Sequence, residues 1–447
     1  MRSLHALLLG SLLLAQTGQR VKAAFGVIEG TRALGAGLGG FYSLIREPSG
    51  AQTTMLGPLY YNGRPLEPFG NDLAYDPRTK HLFLIGGSLD LSSGYSGIIY
   101  GMDVWRSQSL DSLTRRIGAR RLAVKDTLLL VTRNRPPFFT AYRIRPTNTG
   151  VALDSLWSPS SAYLRSIPDA IIVVGDTAFI PLTYNPSTLA SDSLILSINL
   201  RTQRVDSFAK VYPNPAELVR IGGKLYAACY ADFRVPLHIS EIDISSRAVT
   251  ITNTGVNSYG GFVTDTGGRD TILFVDITAK ALRAYSTTTR QVAPDPYQGI
   301  QGIGGLNLYG LLWAGDWLIT AHTNYTDTLI VTFKERGRQA TPLDTIRTGI
   351  PSLRRLIYVE EDAIGLELAR ANQIPASVQV YPNPVLDRFW LSGEGIQQVT
   401  LRDLYGRVLY TWEAHTAEYA LPNLPQGLYL LQVQTSRGLH TLRLQKL

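Results

Sequence analysis

The chain has 447 residues, of which only 17% are charged, 41 are Gly and 23 are Tyr. Its length allows two or more domains with sizeable cores, and its composition argues against a disordered chain. Abundant glycine without long helix-period segments is typical of an all-β protein with tight turns. The net charge of +8 comes from scattered arginines, densest over 115–121, and Cys229 is the one cysteine, which excludes an intrachain disulfide. Such arginines are typical of solvated loops, with a polyanion as the alternative partner.

The first 23 residues are predicted to be a signal peptide. Arg2 precedes an apolar run over 6–15, which is too short for a membrane span of roughly 20 residues, and Val21-Lys22-Ala23 offers a small-residue cleavage site. We expect the mature chain to start near Ala24 with a glycine-rich leader over 24–40. No later segment is apolar enough to span a bilayer, so we predict no transmembrane segment. We also expect no nucleic acid partner for an exported chain.

A hairpin motif recurs between residues 41 and 368. In the stretch 171–182, two apolar, partly β-branched runs flank Gly175-Asp176, which predicts a buried β-hairpin. Related corners lie at residues 80, 126, 223, 270, 316 and 362, so that the gaps along the chain are 46, 50, 47, 47, 46 and 46. A period of this size indicates a repeat architecture with four strands per unit. Seven corners predict a seven-bladed β-propeller.

The two ends of this region complement each other. The last corner, Glu361-Asp362, has an inner hairpin at 356–359 and 363–366 but no outer one, and an unassigned hairpin lies at 41–56. We therefore predict that N- and C-terminal strands close the ring, which leaves no open edge. By period and hairpin layout the region 41–368 resembles the secreted bacterial seven-bladed propellers of the YVTN/NHL-like group. A linker is expected over 369–377.

The segment 378–447 has short alternating strands with frequent turn residues, which predicts a small Ig-like β-sandwich. Its ordered motifs resemble the C-terminal sorting domain of the type IX secretion system of Bacteroidota-like bacteria. The residues that carry the resemblance are Tyr381, Pro382, Asn383, Pro384, Asp403, Gly406, Gly427, Tyr429 and Lys446. The resemblance implies passage through the periplasm, transport across the outer membrane by the type IX machinery, and a final place outside the cell or on the outer-membrane surface.

No catalytic residue, metal site or cofactor is predicted. The six histidines never occur at metal-ligand spacing, and no Gly-x-Ser-x-Gly motif is present. The carboxylates Asp72, Asp169 and Glu217 stand near the start of inner strands, where a propeller ring could bring them together at its axis. Acid–base chemistry depends on their separation, which the sequence leaves open.

One face of the predicted propeller carries loops rich in Tyr and Arg, the residue types that recognition surfaces use. The candidate ligand-binding residues are Arg133, Arg135, Phe138, Phe139, Tyr184, Phe233, Arg234, Tyr259 and Tyr325. The alternative is that these side chains pack between blades. The sequence thus predicts an exported, non-catalytic module that binds an extracellular glycan, polyanion or protein. An extracellular hydrolase or lyase acting on glycans or phosphoesters, or a purely structural protein with a plugged channel, remain the alternatives.

Overall fold

The computed structural model is built from β-strands and turns, and the residues that it describes contain no α-helix. The described residues are 20–28, 41–47, 50–54, 60–61, 64–65, 72–86, 89–90, 94–95, 97–103, 110–147, 150–160, 162–230, 235–259, 261–264, 270–293, 305–314, 317–324, 328–334, 342–347, 353–362, 379–381, 385–392, 395–403, 407–413, 418–435 and 438–446. Within them, no helix is long and apolar enough to cross a membrane. The chain divides into two compact units, Met1–Gly365 and Leu366–Leu447. The all-β prediction is confirmed.

The strands of the first unit are β1 (Arg20–Ile28), β2 (Phe41–Glu47), β3 (Gly50–Thr54), β4 (Tyr60–Tyr61), β5 (Arg64–Pro65), β6 (Leu73–Asp76), β7 (His81–Gly86), β8 (Leu89–Asp90), β9 (Gly94–Tyr95), β10 (Ile98–Asp103), β11 (Leu110–Ser112), β12 (Ala119–Lys125), β13 (Leu128–Arg133), β14 (Phe139–Pro146), β15 (Val151–Trp157), β16 (Ile167–Pro168), β17 (Ile172–Val174), β18 (Thr177–Tyr184), β19 (Leu194–Asn199), β20 (Val205–Lys210), β21 (Pro215–Ile221), β22 (Lys224–Cys229), β23 (His238–Asp243), β24 (Val249–Asn253), β25 (Phe262–Thr264), β26 (Thr271–Asp276), β27 (Ala281–Ser286), β28 (Gln291–Ala293), β29 (Asn307–Ala314), β30 (Trp317–Thr323), β31 (Thr328–Lys334), β32 (Pro342–Arg347) and β33 (Leu353–Asp362).

Successive groups of strands form separate antiparallel sheets. Their orders are β6-β7-β10-β11, β12-β13-β14-β15, β16-β18-β19-β20 with β17 also paired to β18, β21-β22-β23-β24, β25-β26-β27-β28 and β29-β30-β31-β32. Two-residue turns join the first two strands of several sheets at the predicted corners. Asp126, Gly175 and Gly222 hold these turns with φ of 52°, 59° and 56°, in the left-handed region that Gly and Asp tolerate best.

The hydrophobic core lies between consecutive sheets. One cluster joins Leu130 and Phe139 to Ile180 and Leu196, which belong to two neighbouring sheets and are all fully buried. The first strands of the sheets contact one another in the order β6, β12, β17, β21, β25, β29, β33 and again β6. These contacts form a closed cycle, and we call its members the inner strands.

The last sheet, which we call the closing sheet, has the order β3-β2-β1-β33. Its outer strands, β2 and β3, come from the hairpin predicted at 41–56. Its second strand is β1, which pairs with β33 from Arg20↔Asp362 to Ile28↔Leu353. The sequence analysis had expected 363–366 in that place, after a corner at Glu361-Asp362, but β33 continues through Glu361 and ends at Asp362. The predicted signal peptide falls largely on residues 1–19, outside the described residues, and remains a prediction.

The second unit contains β34 (Gln379–Tyr381), β35 (Arg388–Ser392), β36 (Ile396–Arg402), β37 (Val408–Glu413), β38 (Tyr419–Ala420), β39 (Gly427–Thr435) and β40 (Gly438–Lys446). Its two sheets have the orders β34-β35-β38 and β37-β36-β39-β40. Phe389 from the first sheet and Val399, Leu431 and Leu444 from the second belong to one buried cluster. The predicted linker 369–377 lies outside the described residues.

Candidate functional site

Charged side chains meet where the inner strands begin. They come from Asp72 before β6, Arg120 and Arg121 in β12, Asp169 after β16, Glu217 in β21 and Arg355 in β33. We call these six residues the central cluster. A charged group on a buried strand is costly unless it is paired, so the pairing within the cluster decides what it can do.

Asp169 is held by two arginines of the neighbouring inner strand. The Arg120 Nη2 donates to its Oδ2 at 2.9 Å, and the Arg121 Nε lies 2.8 Å from its Oδ1. The side chains of Asp169 and Arg121 are 4% and 5% exposed. Burial raises the pKa of Asp169, but Arg120 and Arg121 outweigh burial and lower the pKa to about 2. Asp169 is therefore an ionised anchor and a poor proton acceptor at neutral pH.

Glu217 is bound by Arg355 through both carboxylate oxygens. The Arg355 Nη1 donates to Glu217 Oε2 at 2.9 Å, and Nη2 donates to Oε1. Their strands, β21 and β33, are three steps apart in the cycle of inner strands in one direction and four in the other. This bidentate ion pair therefore crosses the middle of the cycle, and it is of the strong, geometrically specific kind.

Asp72 behaves differently from the other two carboxylates. The backbone N–H of Leu122 donates to its Oδ2 at 2.9 Å. Burial raises the pKa of Asp72 to about 6, although Arg121 and Arg355 pull the pKa down. At neutral pH the three carboxylates and three guanidinium groups thus balance, and acidification below about pH 6 neutralises Asp72.

A pocket opens beside the central cluster, with about 480 Å³ of empty volume including the solvent at its mouth. Its lining consists of Arg120, Arg121, Asp169, Thr183, Tyr184, Asn214, Ala216, Glu217, Tyr230 and Tyr259. The rings of Tyr230 and Tyr259 pack edge to face with centroids 6.0 Å apart. Asn214 adopts a φ of 57°, and the adjacent Tyr212 stacks on His238 at 3.6 Å. The pocket therefore combines a charged side with an aromatic, polar side.

The structure places two of the predicted ligand-binding residues, Tyr184 and Tyr259, in this pocket. Phe138 and Phe139 are instead buried in the core, and the Phe139 ring lies 5.6 Å from Trp157. The sequence analysis had assigned them to an exposed loop face. Burial of a phenylalanine side chain contributes roughly 1.5–3 kcal/mol to stability. This free energy favours a position in the core over one in solvent for both rings.

Two other predicted residues hold a turn. The Arg133 Nε donates to the carbonyl of Ile117 at 2.7 Å, and the Arg135 Nη2 donates to the carbonyl of Arg116. These contacts tie the end of β13 to the segment before β12. Phe233, Arg234 and Tyr325 lie outside the described residues.

Arg120, Arg121, Arg355, Asn214 and Tyr230 were missed as site residues. Arg120 and Arg121 stood out in the sequence only as part of a basic run, and Tyr230 only as part of an apolar one. A signal was nevertheless present for the arginines, because a basic residue on a strand predicted to be innermost needs a buried partner.

Among the described residues, no group of three or more His, Cys, Asp or Glu side chains could hold a metal ion. His322 is fully buried with its Nε2 2.8 Å from the Thr320 hydroxyl, and burial lowers its pKa to about 4. It is therefore neutral at physiological pH.

The sorting-motif residues stabilise turns and strand ends of the second unit. The Asp403 carboxylate accepts a hydrogen bond from the Arg407 Nε at 2.7 Å, and the Tyr429 hydroxyl donates to the carbonyl of Pro425 at 2.7 Å. The Lys446 Nζ donates to the carbonyl of Leu386 at 2.8 Å. Tyr381 lies in β34 and Gly427 begins β39. Pro382, Asn383, Pro384 and Gly406 lie outside the described residues.

Residues 379–446 match the family model described as the secretion system C-terminal sorting domain. The C-terminal segment is a type IX sorting domain. This sorting domain marks the chain for export to the cell surface or outer membrane, where it engages the type IX machinery. The protein is therefore a secreted cell-surface protein.

The fold of the chain is similar to several solved structures. A candidate 6-phosphogluconolactonase from Bacteroides fragilis is 12% identical, covers 77% of this chain and 99% of its own, and has a TM-score of 0.52. A protein from Lactobacillus plantarum is 11% identical, and the match covers 76% of this chain and 100% of that protein with a TM-score of 0.51. PorZ, a surface component of the type IX secretion system of Porphyromonas gingivalis, is 10% identical. The match covers 92% of this chain and 63% of PorZ with a TM-score of 0.44. No curated protein matches the sequence. The first two likenesses show a propeller-like all-β fold.

Proposed function

We propose that the first unit is a seven-bladed β-propeller, closed by its N- and C-terminal strands, that binds an extracellular ligand without catalysis. Six sheets of consecutive strands, the closing sheet and the closed cycle of inner strands support this architecture. In the same proposal the sorting domain is an Ig-like β-sandwich, consistent with its two sheets around one core.

One observation carries the binding function. The pocket joins tyrosine side chains to carboxylates that arginines already occupy. Asp169, with a pKa of about 2, and Glu217, bound at both oxygens, are unsuited to proton transfer. Aromatic side chains in a concave, polar-edged site are typical of ligand recognition. The ligand is an extracellular glycan, polyanion or protein.

The binding function is tested with the purified, exported protein on arrays of glycans, polyanions and cell-surface proteins. We expect at least one ligand class to bind, and Tyr259→Ala to weaken that binding by about tenfold, as for an aromatic hot spot. Tyr163→Ala is the matched control, because Tyr163 is 43% exposed and lies outside the pocket lining. Binding to none of the arrays contradicts the proposal.

An extracellular hydrolase or lyase acting on glycans or phosphoesters is the second candidate. Asp72 favours it, since a carboxyl with a pKa of about 6 suits general acid–base catalysis. A fold neighbour is also described as a candidate 6-phosphogluconolactonase. Against it, Asp72 is not among the residues that line the pocket. Turnover of a lactone, glycan or phosphoester that disappears in Asp72→Asn would establish this candidate.

We also propose that residues 1–23 are a signal peptide and 24–40 the leader of the mature chain. Cleavage after Ala23 removes four residues of β1 and leaves the pairing of Ala24 with Tyr358 through that of Ile28 with Leu353. The closing sheet can thus keep its second strand after processing. N-terminal sequencing of the exported protein tests this, and a mature start beyond Ile28 would contradict it.

A further inference from the structure

The charges that line the pocket are compensated before any ligand arrives. Arg120 and Arg121 face Asp169, and Glu217 is occupied by Arg355 from across the cycle. An anionic ligand would have to take these guanidinium groups from Asp169 or Glu217, or lie beside a carboxylate of like charge. Leaving one partner of a buried ion pair uncompensated is strongly unfavourable, so anion binding at this pocket is disfavoured.

The other lining residues are uncharged, and five of the six carry polar groups. Thr183, Tyr184, Asn214, Tyr230 and Tyr259 supply hydroxyl, amide and aromatic groups. Hydroxyl groups of a sugar likewise donate and accept, and the apolar face of a sugar ring can pack on a tyrosine ring. The pocket thus offers the mixed polar and aromatic surface that a neutral sugar needs.

Several of these groups are held in place by the fold. The Thr183 hydroxyl donates to the carbonyl of Ile167 at 2.9 Å. The backbone N–H of Asn214 donates to the carbonyl of Asp192 at 2.8 Å, and its carbonyl accepts from the N–H of Tyr230 at 3.1 Å. Such preorganisation lowers the entropic cost of binding.

From these observations we infer that the pocket binds a neutral, hydroxyl-rich ligand, a sugar unit of an uncharged glycan, in preference to an anionic ligand. This inference rests on the proposed binding function and selects one ligand class from it.

The test compares neutral oligosaccharides with carboxylated and sulfated oligosaccharides of equal length, on the full exported protein, at ~20 mM and ~500 mM NaCl. Binding between neutral groups is little affected by salt, whereas binding of a polyanion falls as salt screens its charges. We expect neutral oligosaccharides to bind more tightly than acidic ones, with less than about a twofold change between the two salt concentrations.

Variants locate this binding. Tyr259→Ala is expected to weaken neutral-glycan binding about tenfold, Tyr259→Phe to keep most of the ring contribution, and Tyr163→Ala to leave binding unchanged. Where the alanine variant fails to fold, Tyr259→Leu takes its place, because leucine keeps apolar bulk and removes the aromatic ring. Tighter, salt-sensitive binding of acidic oligosaccharides overturns the inference and leaves the proposed function standing. No binding of any ligand overturns both, and neutral binding that neither Tyr259 variant changes overturns the assignment to this pocket.

Discussion

Two aspartates at the start of inner strands show how partners set the chemistry of one residue type. Asp169 receives two guanidinium groups within 2.9 Å and has a pKa of about 2. Asp72 accepts a backbone hydrogen bond and feels Arg121 and Arg355 only through space, so burial dominates and its pKa is about 6. Asp169 thus stabilises the fold when ionised, while ionisation of Asp72 opposes folding.

The raised pKa of Asp72 predicts a pH-dependent effect on stability. The folded protein binds this proton more tightly than the unfolded chain. The stabilising contribution of protonated Asp72 is therefore complete below about pH 4 and is lost as the pH rises through about 6. Asp72→Asn removes the cost of ionisation. We expect the variant to gain on the order of 1–2 kcal/mol relative to the wild type between pH 4 and pH 7.

Urea unfolding at a series of pH values measures this difference. Comparison with the variant is necessary because His322 has the opposite effect, since its lowered pKa of about 4 destabilises the fold as pH falls below 6.5. Asp126→Asn, at an exposed turn, is the control. A difference in unfolding free energy between Asp72→Asn and wild type that does not change with pH would contradict the raised pKa of Asp72.

At the scale of strands, the ring depends on contacts between segments far apart in sequence. β33 pairs with β1, and Arg355 in β33 binds Glu217 in β21, 138 residues away. Pairing with β1 holds β33 from the neighbouring position in its own sheet, and the ion pair of Arg355 with Glu217 holds it from across the cycle. The central cluster thus assembles from segments that are far apart in the sequence.

The Arg355–Glu217 pair predicts a double-mutant result. Arg355→Met leaves the buried Glu217 without its bidentate partner and is expected to lower the free energy of unfolding by about 3 kcal/mol. The double variant Arg355→Met, Glu217→Leu should recover most of this loss, because no uncompensated charge remains. Arg145→Met, whose partner Asp154 is exposed, should change stability far less, because solvent screens an exposed ion pair. An equal loss of unfolding free energy in Arg355→Met and in the double variant would contradict the view that the unpaired Glu217 charge causes the loss.

A second element-scale prediction concerns a close approach between sheets. Gly97 precedes β10 with φ of 45°, and a Cβ there would lie 2.3 Å from the backbone nitrogen of Ala119 in β12. Gly97→Ala is therefore expected to destabilise the protein by more than about 3 kcal/mol. Gly175→Ala has a similar φ, 59°, but nothing within 4 Å, so it should cost only about 1 kcal/mol. Thermal unfolding of both variants measures the contrast, and similar losses would mean that the approach is not close.

For the molecule as a whole, the sorting domain and the first unit have separate tasks. The sorting domain marks export, and contacts such as those of Lys446 with Leu386 and of Val385 with Gln445 hold its own segments together. The candidate pocket is lined only by residues of the first unit. The export address and the proposed binding site therefore lie in different parts of the chain.

This separation predicts the outcome of a deletion. A chain that lacks 379–446 should accumulate inside the producing cell and disappear from its surface, because the type IX machinery no longer recognises it. Tyr259→Ala in the full chain should reach the surface normally, since Tyr259 lies outside the sorting domain. Surface labelling and immunoblots of cell fractions measure both. Export of the truncated chain to the surface would contradict the role of the domain.

Much of the fold could be predicted because local signals repeat. Apolar alternation around Gly175, and turn residues at Asp126 and Gly222, predicted the hairpin corners that the structure contains. The second strand of the closing sheet could not be predicted, because the apolar pattern of 20–28 fits a strand and the end of a signal peptide equally well. Phe138 and Phe139 were misplaced because an aromatic residue beside a loop can face either the core or the solvent.

By itself, the sequence determined the strand and turn pattern, the all-β class and the sorting address, since each rests on residues close together in the chain. Only the tertiary structure decided which charges are neutralised. Arg355 meets Glu217 across the cycle, and Arg121 meets Asp169 from a neighbouring sheet. Electrostatic compensation depends on distances of a few ångströms between residues far apart in sequence, and folding alone sets those distances.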